Sequence, residues 1–241
     1  MIVAGAGIIG LASAWRLARL GLRVTVFDAS EAGSEASWAG AGMLAPGGEF
    51  EGPSEMAAAA MRSLREYPAF VRELESETGC RIDFQRCGAF ELAMNGEQAE
   101  ALGRKAERQR LMGIESEARA WDGREARFYP RDAIVDPRHV TRALRAACAK
   151  HGVALREHEP VLEVAPDGSS IRTARETIAD EDGVLVAAGA WSSSLSSALP
   201  RTIPVRGHLV SWNAEPGMLP SIVRQGHTYL LQRRNGTIIA G

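Results

Sequence analysis

Three glycines near the start of the chain have the spacing of a phosphate-binding turn. Gly5, Gly7 and Gly10 follow a short apolar strand and open a segment whose apolar residues recur at helical spacing. In such a turn the first glycine permits the tight bend and the second lets the backbone approach a pyrophosphate. The third lets the helix pack closely on the strand. The phosphates would lie on the N–H groups at the positive end of the helix, so this pattern predicts a dinucleotide site.

An acidic residue supports this interpretation. Asp28 lies eighteen residues after Gly10, at the end of the next predicted strand. Its carboxylate can accept hydrogen bonds from ribose hydroxyls, and it disfavours the 2′-phosphate of NADP. The alternative is a glycine-rich structural turn with Asp28 as a solvated loop residue. The order strand, glycines, helix, strand and acid favours dinucleotide binding.

Two further stretches could bring backbone close to a flat ligand. Residues 36–46 are rich in Gly and Ala, which expose N–H groups and leave room beside the chain. A flavin cofactor needs such a second loop, whereas an NAD-dependent dehydrogenase, a competing hypothesis, does not. The apolar run 184–188 ends at Gly189, where the carboxyl ends of parallel strands would meet a ligand. A plain turn after a buried core strand is the alternative there.

The secondary structure predicted around these residues indicates an α/β fold. Residues 2–28 have a strand–turn–helix–strand pattern, which predicts a parallel sheet. The α/β segments 1–50 and 137–195 are separated by other material, and strands dominate after residue 200, so two interleaved domains are expected. Further helices are expected at 54–79, 97–112 and 137–150, and strands at 88–94, 204–212, 228–232 and 237–239.

Composition excludes several classes of function. The chain is 45% hydrophobic and 24% charged with a net charge of −2, so nothing favours nucleic acid or an anionic membrane as a partner. No signal peptide and no apolar run of roughly 18 residues is present, which predicts a soluble, cytoplasmic protein. The three cysteines and five scattered histidines form no pattern of disulfides or metal ligands, so no metal is expected. Residues 236–241 have the pattern of a strand that is not yet terminated at the last residue, so we expect the chain to be a piece of a longer protein.

The chain resembles the D-amino-acid oxidase family of FAD-dependent oxidoreductases, and within it the branch that oxidises glycine in thiamine biosynthesis. The resemblance covers essentially all 241 residues. The stretch from Ala39 to Pro46 is its most specific part, since many flavoproteins share the glycine turn. The other residues that carry it are Gly5, Gly7, Gly10, Asp28, Asp136-Pro137, Ala187-Ala188-Gly189-Ala190-Trp191, Pro204-Val205-Arg206-Gly207 and Tyr229 through Gly241.

The resemblance implies a Rossmann-like FAD-binding domain with a parallel sheet, interleaved with a β-sheet-rich α+β substrate domain. The implied FAD-binding segments are 1–75 and 137–200. The implied substrate-domain segments are 76–136 and 201–241, incomplete at the C-terminus. Val161 matches a position whose backbone faces adenine, and residues 41–43 match positions beside the flavin. The cofactor-binding residues expected on these grounds are Gly5, Gly7, Ile8, Ile9, Gly10, Asp28, Ala29, Ser37, Ala39, Gly40, Ala41, Gly42, Met43, Leu44, Val161, Ala188, Gly189 and Trp191.

The resemblance also implies a reaction. A hydride leaves Cα of glycine or another small amine for flavin N5, and oxygen regenerates the cofactor and yields hydrogen peroxide. Tyr229 matches a tyrosine that lines the substrate pocket, although a strand tyrosine packed in a sheet is as good an interpretation. Arg206 and Arg233 could attract an anionic substrate, or could be solvated strand charges. Whether the protein forms a homo-oligomer is left open.

Three departures from the family pattern bear on that reaction. His208 stands where relatives commonly have Gln, and Gln232 stands where they often have Pro. The arginine that binds the substrate carboxylate in the family falls beyond residue 241. The alternatives are therefore a D-amino-acid dehydrogenase, a sarcosine-type oxidase or a non-catalytic flavin-binding fragment. Activity of the 241-residue chain itself is left open.

Overall fold

The computed structural model describes residues 1–241 and contains seven α-helices and seventeen β-strands. The helices are α1 (Ile8–Arg19), α2 (Ala36–Ala39), α3 (Pro46–Glu49), α4 (Glu55–Thr78), α5 (Gly96–Arg110), α6 (Pro137–Lys150) and α7 (Ser192–Leu195). The strands are β1 (Ile2–Ala4), β2 (Thr25–Phe27), β3 (Met43–Leu44), β4 (Phe84–Gln85), β5 (Ala89–Leu92), β6 (Glu117–Ala118), β7 (Ala126–Tyr129), β8 (Ala133–Val135), β9 (Ala154–Arg156), β10 (Glu163–Val164), β11 (Ser170–Arg172), β12 (Thr177–Ala179), β13 (Val184–Val186), β14 (Val210–Asn213), β15 (Ile222–Gln225), β16 (Thr228–Gln232) and β17 (Thr237–Ala240). None of the helices combines the length and apolar character that crossing a bilayer requires.

The first compact unit is an α/β structure built from residues 1–40, 74–81 and 137–206. Its parallel four-stranded sheet has the order β13-β1-β2-β9, so β1 lies between β13 and β2. The apolar strand residues of β1 are buried, and α1 packs against α6. A small antiparallel sheet, β10-β11-β12, completes the unit. The βαβ connection through α1 places the turn after β1 at the carboxyl edge of the parallel sheet.

The second compact unit is built from residues 41–73, 82–136 and 207–241 and is rich in strands. Its seven-stranded sheet has the order β14-β17-β16-β15-β5-β7-β6, in which only β15 and β5 run parallel to each other. A second sheet, β3-β8-β4, is antiparallel. A core cluster that includes Tyr129, Ile222 and Leu231 fills this unit, because alternate residues of its strands point inwards.

The predicted fold class is confirmed: a parallel α/β sheet and a separate strand-rich sheet both occur, in segments that alternate along the chain. The helices expected at 54–79, 97–112 and 137–150 form within two residues of those bounds. Residues 41–73, which the resemblance placed in the segment 1–75, lie in the second unit, where β3 pairs with β8. The roles of the two units in cofactor and substrate binding stay predictions.

Several local expectations were wrong. The strand expected at 204–212 begins only at Val210. The stretch 36–46, expected to be a loop, contains the short helix α2 and the strand β3, and α3 begins at its last residue. Strand β13, expected to be fully buried, is only half-buried because it pairs on one side alone, with β1. This edge position was not predictable, since an apolar run looks the same at an edge and in the middle of a sheet.

Candidate cofactor-binding site

The glycine turn after β1 is packed tightly at two of its three glycines. Gly5 has a φ of +108°, and a Cβ there would lie 2.4 Å from the carbonyl oxygen of Ala187. A Cβ on Gly10 would lie 1.8 Å from the carbonyl oxygen of Gly5. Gly7 differs, because its φ is −69° and a Cβ would meet only the Ser37 hydroxyl, at 3.1 Å. The fold therefore requires glycine at positions 5 and 10, whereas the space beside Gly7 is available to a ligand.

The amino end of α1 is suited to an anion. Gly7 is its N-cap and provides no side-chain cap, and the first turn contains no acidic side chain. Ser37 Oγ accepts a hydrogen bond from the Ile8 N–H at 2.9 Å. Helix geometry leaves the N–H groups of Ile9 and Gly10 without a partner inside the helix. These donors and the helix dipole together favour a phosphate at this position.

Asp28 lies beside the same turn. Its Oδ2 accepts a hydrogen bond from the Ala6 N–H at 2.6 Å, and its Oδ1 accepts one from the Ser30 N–H at 2.9 Å. A carboxylate can accept about four hydrogen bonds, so both oxygens keep capacity for a ribose hydroxyl. Asp28 thus fixes the glycine turn and remains half-exposed at the edge where the sequence predicted a ribose.

Other predicted residues of the first unit gather around this turn. Ala187 and Ala188 follow β13 and lie beside Gly5, which places the turn containing Gly189 next to the glycine motif. Three large apolar side chains on these segments are at least half exposed: Ile9, Trp38 and Trp191. Exposed apolar surface beside a polar turn is typical of ligand-binding grooves. Ala29 and Ala39 are exposed, while Val161 packs against a core cluster with Ala188 and Val186.

Arg138 is a residue near this site that the sequence analysis missed. Its guanidinium lies 3.6 Å from the centre of the Trp38 ring, and its Nε donates a hydrogen bond to the Trp38 carbonyl at 3.1 Å. Arg138 is the second residue of α6, so this contact ties α2 to the start of α6. An arginine one residue after the Asp136-Pro137 pair carried no signal of this contact, because cation–π pairs join residues that are distant in sequence.

The predicted residues of the second unit are held by backbone pairing. Met43 and Leu44 pair with Ile134 and Ala133, and the Val135 N–H donates to the Gly42 carbonyl at 2.9 Å. Ala41 is buried in the core cluster of that unit. This loop is consequently an ordered strand with half-buried side chains rather than a flexible surface loop. Its predicted contact with the flavin stays a prediction.

Arg233 is a buried, paired charge rather than a solvated one. It is 6% exposed, forms an ion pair with Asp136, and its Nη2 donates to the Ala41 carbonyl at 3.5 Å. Arg206, by contrast, is exposed and lies outside any strand. The sequence could not separate these two arginines, because burial of a strand charge depends on the partner that folding brings to it.

Tyr229 lies on β16 and is half-buried against the core of the second unit. Burial, together with the negative charge of Glu49, raises the pKa of its phenol, so it stays a neutral hydrogen-bond donor near neutral pH. Its N–H donates to the Gly241 carbonyl at 2.8 Å. Both features suit an orienting role, which stays a prediction.

Three features of the first unit fit the adenosine and pyrophosphate parts of a dinucleotide. Gly7 leaves open space that the fold does not fill, and the amino end of α1 has N–H groups without a partner inside the helix. The Asp28 carboxylate can accept further hydrogen bonds. The first unit therefore has the site and the fold of a dinucleotide-binding protein. A family profile described as FAD dependent oxidoreductase (DAO) matches residues 1–241. The chain belongs to this family, and its cofactor is FAD.

Individual relatives support the assignment. The chain is 34% identical to a glycine oxidase of Pseudomonas aeruginosa over 256 residues, covering 100% of this chain and 70% of that protein. It is 30% identical to the bifunctional protein ThiO/ThiG of Synechocystis, of which it covers 38%. The crystal structure of glycine oxidase from Geobacillus kaustophilus superposes with a TM-score of 0.92 at 29% identity, covering 100% of this chain and 70% of that one.

Proposed function

We propose that this protein is an FAD-dependent oxidase of glycine or another small amine or amino acid, acting in thiamine biosynthesis. The observation that carries the proposal is the glycine turn of the first unit, where Gly7 alone has no structural need to be glycine. Similarity to two kinds of relatives, glycine oxidases and ThiO/ThiG proteins, supports the substrate class and the pathway.

The residues of this chain would act by binding and orientation. The N–H groups at the start of α1 would hold the pyrophosphate, and Asp28 would accept a ribose hydroxyl. Bound FAD would supply the two-electron acceptor for the redox step. Tyr229 would donate a hydrogen bond that orients the substrate. Arg233 is committed to Asp136 and would not be the partner of a substrate carboxylate.

Cofactor identity and peroxide formation test the proposal directly. We expect the purified protein to be yellow and to release FAD, not FMN or NAD, when heated. With glycine or sarcosine it should consume oxygen and form an equal amount of hydrogen peroxide. The Gly7→Val variant is the control, because a side chain there would block the pyrophosphate and abolish both the colour and the turnover.

Other outcomes would point to the competing functions. Reduction of the bound flavin by D-amino acids without peroxide would indicate a dehydrogenase. Preference for sarcosine over glycine by more than tenfold in kcat/KM would indicate a sarcosine-type oxidase. Stable FAD binding with no reduction by any small amine would indicate a flavin-binding protein without this activity.

A further inference from the structure

Residues 45–50, which directly follow the predicted flavin loop 41–44, are held from one side by a buried amide. Gln109, on α5, is fully buried, and its Nε2 donates to the carbonyl of Gly47 at 2.8 Å and to that of Phe50 at 2.7 Å. A single side chain thus joins both ends of the short helix α3. The polar composition of the helix predicted at 97–112 did not indicate that Gln109 would be buried and would donate to backbone carbonyls.

Two cations also contact this segment. Lys105, one helical turn before Gln109, donates to the Gly48 carbonyl at 3.5 Å and to Glu91 at 3.0 Å. Arg224 Nη1, on β15, donates to the Ala45 carbonyl at 3.4 Å. We call Gln109, Lys105 and Arg224 the carbonyl clamp. Each is less than 8% exposed, and the two buried cations are paired with the carboxylates of Glu91 and Asp132.

The segment is packed tightly against the side chains on the clamp side. A Cβ on Gly47 would lie 2.3 Å from the Tyr129 ring, and one on Gly48 would lie 2.3 Å from Arg224 Nη1. The backbone therefore lies directly on buried side chains. A buried carbonyl that loses its donor is costly, so removal of one clamp residue should displace the segment rather than leave it in place.

We propose that the carbonyl clamp positions residues 41–44 through the continuous segment 45–50, and so sets the environment of the flavin. The inference rests on the proposed function, because only there are residues 41–44 assigned to FAD. The clamp residues touch neither substrate nor cofactor in this scheme, so they are positioning residues. A clamp that only stabilised the second unit would leave the properties of bound FAD unchanged.

The first test uses protein without cofactor and measures backbone amide hydrogen exchange. In Gln109→Leu, which keeps the buried volume but removes both donors, amides of residues 47–50 should exchange at least about tenfold faster. The matched control is Asn95→Ala on the same helix, which removes the N-cap bond to the Gln98 N–H. That control should accelerate exchange only at the start of α5. Unchanged exchange at residues 47–50 in Gln109→Leu would overturn the proposal.

The second test uses the same variants loaded with FAD. Gln109→Leu should shift the visible absorption bands of bound FAD and lower kcat about tenfold or more, since small misplacements of a reacting group are expensive. Asn95→Ala should change neither. Gln109→Asn, whose shorter amide can reach at most one of the two carbonyls, should be intermediate, and it serves if the leucine variant does not fold.

The outcomes separate the two proposals. If Gln109→Leu has the absorption spectrum of Asn95→Ala although exchange at residues 47–50 is faster, the clamp does not act on the flavin and the inference fails. If the wild-type protein binds FAD but oxidises no amine, the proposed function fails, while the spectra of the variants still decide the inference.

Discussion

At the scale of single residues, three glycines of one motif are glycine for different reasons. Gly5 is fixed by its positive φ and by its contact with Ala187, and Gly10 by its contact with the Gly5 carbonyl. Gly7 has an ordinary φ and an open side. The motif therefore separates into two positions that the fold requires to be glycine and one whose open side is predicted to face the pyrophosphate.

That separation predicts opposite behaviour for two alanine variants. Gly7→Ala should fold normally, because the added Cβ meets only a flexible hydroxyl, but its affinity for FAD should fall at least about tenfold as the methyl group meets the pyrophosphate. Gly10→Ala should unfold or melt far below the wild type, because its Cβ overlaps backbone. Thermal melting and FAD titration measure both effects. Wild-type FAD affinity in Gly7→Ala would mean that the pyrophosphate lies elsewhere.

At the scale of elements, α6 supports the helix that carries the site. It packs against α1, where Cys148 Sγ donates to the Leu11 carbonyl at 3.4 Å, and its Leu144 is fully buried. At its amino end Arg138 stacks on Trp38 of α2. One helix thus fixes both α1, whose amino end would bind phosphate, and α2, whose Ser37 contacts that end.

Truncation of the α6 contact should therefore weaken the site together with the fold. Leu144→Ala should lower the free energy of unfolding by about 2–5 kcal/mol, through lost burial and the cavity left behind. Arg142→Ala, at an exposed position of the same helix, should change it by less than about 0.5 kcal/mol. Urea unfolding checks both values. Equal effects for the two variants would mean that α6 does not pack on α1 as described.

At the scale of the whole molecule, the second unit buries several opposite charges. Asp132 and Arg224 are each less than 9% exposed and lie 3.4 Å apart. Burial raises the pKa of Asp132 from its ordinary 3.8 to about 7, although the guanidinium of Arg224 acts in the opposite direction. The folded protein therefore holds a proton there that the unfolded chain has already released.

This difference predicts a stability that falls as the pH rises. Between about pH 4 and pH 7 the folded state binds more protons at Asp132 than the unfolded state. The contribution of Asp132 to the free energy of unfolding should then decline by up to about 1.4 kcal/mol per pH unit in that interval, and level off above it. Urea midpoints at several pH values, compared with Asp132→Asn, measure this contribution. A wild type and a variant with parallel pH profiles would contradict it.

Much of the site could be predicted from the sequence because its signals are local. A glycine turn needs particular backbone angles and contacts within one βαβ unit, so Gly5, Gly7, Gly10 and Asp28 were recognisable from type and spacing. Helical periodicity located α4, α5 and α6 for the same reason. The fold class followed from these elements and their order.

Only the tertiary structure decided which polar side chains are buried and what they hold. Arg233 and Arg206 are both basic residues of the same region, yet one forms a buried ion pair with Asp136 and the other is exposed. Gln109 and Arg224 reach carbonyl groups dozens of residues away in the chain. Such contacts depend on the packing of distant segments, whose partners leave no periodic trace in the sequence, whereas backbone turns and helices are encoded by neighbouring residues.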